Sequence, residues 1–214
     1  DGGVLWLWLG ARVALGAKLS DLLKTINFAA ATAPKYAVKA PVFPFHKFPG
    51  VSPNLGPEMR SIGEVMGTAP TAGEALAKAY IAAGWKLVPQ GDILVLAESA
   101  QLEQMAEALG VMVHKLGCRV YCIEDCRQAL AGLKTSLIEL RQDEQVRSFA
   151  LAAMRSGRMT MVISAGTQMS RKWRQLAAEI GALTTQCAVP FIESEFALDA
   201  WVMALRSRAG KEIQ

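Results

Sequence analysis

Residues 92–123 run DILVLAESAQLEQMAEALGVMVHKLGCRVYCI. Asp92 to Ala97 is a short, nearly continuous apolar run, the pattern of a strand buried on both faces. Ser99 can cap a helix in which Leu102, Met105, Ala106, Leu109, Met112, Val113 and Leu116 recur at helical spacing up to Gly117. Cys118 to Ile123 is strand-like again. Two strands joined by a helix of this length predict a parallel pair, because a tight turn can join only antiparallel neighbours.

The alternation repeats toward the C terminus. A short helix over Cys126–Leu133 leads to a strand over Ser136–Leu140. The segment Asp143–Arg155, with Val146, Phe149, Ala150 and Ala153 on one face and Gly157 beyond its end, predicts a helix returning to a strand over Arg158–Ser164. Helix is then expected over Ser170–Ile180, strand over Ala182–Val189 and an amphipathic helix over Glu195–Arg208. Five short strands spaced by helices imply a doubly wound α/β domain, with a mostly parallel five-stranded sheet and helices on both faces.

Toward the N terminus the texture changes, with a seam near Gly84–Gly91. Seven of the nine prolines precede residue 71. Leu9–Leu23 reads as one helix, followed by a small-residue loop over Ala29–Pro34. Tyr36–Phe48 reads as extended chain in which Pro41 and Pro44 lack backbone donors, which suits an edge strand or a covering arm. A proline-rich loop follows, and Thr71 with Glu74 forms a capping box before a helix over Ala75–Ala83 closed by Gly84. Helix, arm, loop and helix offer too little alternation for a sheet. The expected organisation is thus a helix-plus-arm segment over 1–84 and an α/β domain over 85–214.

The composition is that of a globular protein: 214 residues, 52% hydrophobic and 20% charged, enough to bury a core. The net charge of +4 is spread along the chain, so no nucleic-acid partner is expected. The apolar run Val4–Leu9 is far shorter than the roughly 20 residues a membrane span needs, so no membrane partner is expected either. Cys118, Cys122, Cys126 and Cys187 lack any CxxC spacing and read as reduced thiols of a cytoplasmic protein. Zinc takes four ligands, buried thiols are the simpler reading of these cysteines, and no metal site is expected.

Candidate chemistry falls on the loops that follow the strands, where helix N termini offer free backbone donors. The best anion cradle is Ser164 to Lys172. Gly166 allows close backbone approach, Ser164, Thr167 and Ser170 add hydroxyls, and Arg171 and Lys172 supply charge. The bland alternative is a loop and a capped helix with two solvated cations. His46 and His114 form no triad by spacing, the nine methionines read as core filling, and no catalytic residues are assigned.

One stretch carries a family resemblance. Residues 38–51, VKAPVFPFHKFPGV, followed by 55–67, LGPEMRSIGEVMG, resemble the carbamoyl-phosphate synthase large subunit where the second ATP-grasp half closes. Residues 11–16, ARVALG, are similar to the helix just upstream. The resemblance covers nearly the whole chain, is strong over 36–84 and weaker beyond. It implies a methylglyoxal synthase-like regulatory domain after the ATP-grasp tail, with a phosphate-binding crevice. Asp1 to Leu9 has no counterpart in the family and reads as a truncated or misread start.

The resemblance also sets what to expect of function. The parent enzyme uses ATP with Mg or Mn to make carbamoyl phosphate from bicarbonate and glutamine-derived ammonia, for pyrimidine and arginine biosynthesis. Its metal-binding Glu and Asn lie upstream of this segment, so no cofactor is expected here and the segment is regulatory rather than catalytic. Expected partners are the rest of the large subunit, a glutaminase small subunit, a small-molecule effector and further copies of the chain. An exposed apolar patch over residues 4–48 would favour such self-association.

The crevice departs from the family pattern at four loops. Glu124-Asp125-Cys126-Arg127 replaces Thr-x-Gly-Thr, and Ser164-Ala165-Gly166 replaces Asn-Thr-Thr. Glu98-Ser99-Ala100-Gln101 replaces a loop with a basic residue, and Pro190-Phe191-Ile192-Glu193 replaces a Thr-rich loop. The effector is therefore expected to differ, or the domain to be a degenerate structural or oligomerisation module. A free-standing lyase of the methylglyoxal synthase type would need a histidine beside Asp125, and none accompanies it.

Overall fold

The computed structural model describes residues 6–26, 35–43, 63–97, 99–123, 126, 129–133, 137–165 and 171–209. Two short helices, α1 (Trp6–Ala14) and α2 (Leu19–Leu23), come first. Strands β1 (Tyr36–Val42) and β2 (Gly63–Ala69) form an antiparallel pair, in register from Tyr36↔Ala69 to Val42↔Gly63. Helix α3 (Ala72–Ala82) then leads to the main sheet.

That sheet contains β3 (Asp92–Ala97), β4 (Arg119–Ile123), β5 (Leu137–Leu140), β6 (Met159–Ala165) and β7 (Phe191–Ile192). All its pairs are parallel, in the order β5-β4-β3-β6-β7. Helices α4 (Ser99–Leu116), α5 (Asp143–Arg155), α6 (Arg171–Cys187) and α7 (Glu195–Ala209) complete the chain. Helix α7 packs on α3 and α4, and α5 packs on α6. The fold is the doubly wound α/β domain that the alternation predicts.

The central strand explains the core. All six residues of β3 are buried, as expected of a strand covered on both faces. Leu102, Leu109 and Met112 of α4, Val146 and Ala150 of α5, Leu176 and Ile180 of α6, and Leu198 and Leu205 of α7 join the same cluster. Leu9 and Leu22 form a separate small one.

Several local readings are corrected. The single helix over Leu9–Leu23 is two helices, because Gly16 adopts φ +95° and Ala17 N–H closes back on Arg12 C=O at 3.0 Å. That is the left-handed turn that ends a helix. Residues 63–69, to which the sequence pattern assigns no element, are strand β2, so the first half does build a small sheet. Of the short helix expected at Cys126–Leu133, Cys126 lies in a 3-10 turn, residues 129–133 form turns and a bend, and 127 and 128 lie outside the described residues.

The largest difference from the sequence pattern is at Ala182–Val189, expected as strand. Helix α6 runs through Gly181 to Cys187, and the strand is the short Phe191–Ile192. Thr184 and Thr185 turn their hydroxyls back onto the carbonyls of Gly181 and Ala182, at 2.6 and 2.8 Å, which satisfies β-branched polar side chains within a helix. The helix ends at Ala188, with φ 55°, where Val189 N–H reaches Thr184 C=O at 3.0 Å. A non-glycine residue in this conformation leaves no stop signal in the sequence.

A half-buried phenol and a buried thiol should make the fold sensitive to alkali. Burial raises the Tyr80 hydroxyl above its ordinary 10.0. Burial also raises the Cys118 thiol above 9.0, opposed by hydrogen bonds involving Gly91 and Thr160 and reinforced by the Asp92 charge. The folded chain retains these protons where the unfolded chain has released them. Their contribution is thus full below the ordinary values and lost as pH rises through the raised ones. Thermal midpoints measured from pH 7 to 11 should fall above about pH 9, and Cys118→Ala should flatten the first part of that fall. An identical profile in the variant would remove Cys118 from this account.

Candidate functional site

The topology marks one end of the sheet for ligands. From β3 the chain crosses to β4 on one side, and from β6 it crosses to β7 on the other, while β3 and β6 are direct neighbours. The strand order therefore reverses between β3 and β6, and a doubly wound sheet opens its crevice at the carboxyl ends there. These ends are level, with Leu96 opposite Ser164 and Ala97 opposite Ala165.

Of the six expected cradle residues, three fall among the described ones. Ser164 is buried near the end of β6, and Arg171 and Lys172 open α6. Gly166, Thr167 and Ser170 lie outside the described residues. Arg171 is exposed. Lys172 is engaged: its Nζ stands 2.7 Å from Asp143 Oδ1 and 4.9 Å from the ring centroid of Trp173.

Asp143 is a residue whose role the sequence did not reveal. It opens α5 after the carboxyl end of β5, but its pairing with a residue 29 positions away depends on tertiary placement. The pairing has an electrostatic reason. The start of α6 carries Arg171, Lys172 and Arg174 with no acid in its first turn, against the positive end of the helix dipole. Asp143 supplies the missing negative charge. Arg147 and Glu179, 2.9 Å apart, make a second ion pair between the same helices.

The loop after β4 contributes Cys126, which is buried with its thiol donating to Ala97 C=O at the end of β3. Cys118 and Cys122 are buried too, and Cys187 is half-buried. Among the described residues no group of three or more His, Cys, Asp or Glu is placed to hold a metal ion. No helix among them is long and apolar enough to cross a membrane. His46 lies outside the described residues, and His114 is exposed in the last turn of α4.

The buried carboxylate of the sheet sits at the opposite end. Asp92, fully buried, receives Arg119 Nη2 at 2.7 Å and Arg119 Nε at 2.9 Å on Oδ1, while Arg158 Nη1 approaches Oδ2 at 3.1 Å. Three adjacent strands are thereby tied at their amino ends, away from the crevice. A groove of about 680 Å³ lies elsewhere, between α3, α4 and α7, with Val111, Val202 and Met203 among its apolar residues and Glu107, Asp199 and Arg206 among its charged ones.

No family model matches the chain. It is 28% identical over 208 residues to the carbamoyl phosphate synthase large chain, C-terminal section, of Methanocaldococcus jannaschii, covering 93% of this chain and 33% of that protein. It is 30% identical over 213 residues to the carbamoyl phosphate synthase large chain of Methanoculleus marisnigri, covering 99% and 19%. With the large chain of Ralstonia nicotianae it shares 37% identity over 131 residues, covering 60% and 12%. The chain thus spans a third or less of the length of these relatives.

Proposed function

Because this chain is related to the carbamoyl phosphate synthase large chain, and to a C-terminal section of it over nearly all its own length, we propose that it is a regulatory, non-catalytic portion of such an enzyme. In this reading residues 1–84 are the tail of the ATP-grasp component and 85–214 the methylglyoxal synthase-like domain. The parent reaction would be ATP-dependent formation of carbamoyl phosphate from bicarbonate and glutamine-derived ammonia. ATP and its Mg or Mn would be held upstream, and a glutaminase subunit would supply the ammonia. Reduced, buried thiols fit a cytoplasmic setting.

The observation that carries this reading is the position of the Ser164 loop, at the reversal of strand order beside β3. An anionic effector would sit between that loop and the first turn of α6, with Arg171 as its exposed cation. The exposed side chains of Trp6, Leu7, Trp8 and Leu15 support the rest of the large chain as a partner, since so apolar a surface is suited to being covered.

Thermal unfolding with UMP, IMP, ornithine and inorganic phosphate tests it. A ligand at about 100 times its Kd adds about 2.7 kcal/mol, a rise of about 5–10 °C for a domain of this size. One of the four should raise the midpoint by that amount, and Arg171→Ala with Lys172→Ala should abolish the rise while leaving the unliganded fold intact. A second reading, a degenerate structural module without a ligand, is favoured by the capture of Lys172 by Asp143. No shift with any of the four would support that module.

A further inference from the structure

We infer that helix α3 locks the β1–β2 hairpin to α7, so that the three move and open as one unit. The contacts on both sides of α3 involve backbone. A Cβ built on Gly67 of β2 would collide with Ala75 C=O and Ala79 N, so the strand rests directly on the helix. On the other side, a Cβ on Gly73 would collide with Ser207 Oγ and stand 2.8 Å from Met203 C=O of α7. Ala75, Ala77 and Ala79 are wholly buried. Tyr80 stacks on Trp201 of α7 with ring centroids 4.2 Å apart, and Trp85 meets the same ring edge-on at 6.2 Å.

Long side chains can exchange rotamers and let two elements slide. Backbone seated on backbone cannot, because close-packed interiors leave no room for continuous deformation. A two-stranded hairpin is marginal in water on its own, so this one depends on its seat on α3. Helix α3 depends in turn on α7 to cover its second face. The start of α7 follows β7 at the carboxyl end of the sheet, so any displacement of α7 carries the hairpin with it.

Native-state hydrogen exchange of the full chain across a denaturant series tests this lock. Amides of residues 36–42 and 63–69 should merge with those of α3 and α7 at one shared opening free energy. In Gly67→Ala the hairpin amides should exchange at least about tenfold faster, while those of α7 stay unchanged. Hairpin amides that open below α7 in the unmodified chain would overturn the inference, as would hairpin exchange unaltered by Gly67→Ala. Should that variant not fold, the unmodified chain decides alone.

Discussion

Trp201→Ala should destabilise the chain by about 4 kcal/mol and lower its thermal midpoint by about 12 °C. Trp201 is 7% exposed, and its ring is the common partner of Tyr80 and Trp85. Truncating it removes the transfer free energy of a large aromatic and leaves a void between α3 and α7. The lost ring pairs add about 1 kcal/mol each. Neither helix can close the gap freely, because the Gly73 contact already holds their backbones at closest approach. Guanidinium unfolding gives the measurement, with a lowered midpoint at unchanged slope. Trp201→Phe keeps an aromatic ring and should lose less than half as much. A loss below about 1 kcal/mol in the alanine variant would show that α3 and α7 do not share a core.

The α/β architecture was legible because its signals are local. The run over Asp92–Ala97, the spacing in α4, and Gly84, Gly117 and Gly157 beyond helix ends each report a backbone state directly. Strand β2 was not legible, because GEVMGTA carries two glycines and reads as loop. Its identity comes from pairing with β1 and from Gly67 accepting the helix beneath it. The end of α6 was hidden for the opposite reason. Gly181 looks like a stop yet is buried inside the helix, and the true stop is an alanine.

The candidate site was legible in part. Sequence alone could rank the Ser164 loop among the strand-end loops, since hydroxyls, a glycine and two cations are compositional facts. It could not tell that this loop follows the strand bordering the reversal in strand order, which is a property of the assembled sheet. Nor could it tell that one of the two cations is already held by Asp143.

The Asp92 cluster gives the second large effect. Arg119→Met with Arg158→Met should cost about 3–5 kcal/mol, because it leaves a fully buried carboxylate without a cation. Asp92→Ala should cost less, about 3 kcal/mol, since both arginines are about half exposed and water can solvate the guanidiniums left behind. Replacing all three, with Asp92→Leu in the double-Met background, should restore most of the loss. An apolar trio of similar volume avoids the desolvation that the ion pairs must offset. With Asp92→Leu also made alone, the variants close a cycle read by chemical denaturation. Additive losses would show that the residues act independently, whereas recovery in the triple variant identifies a charge cluster whose members stabilise the sheet only together.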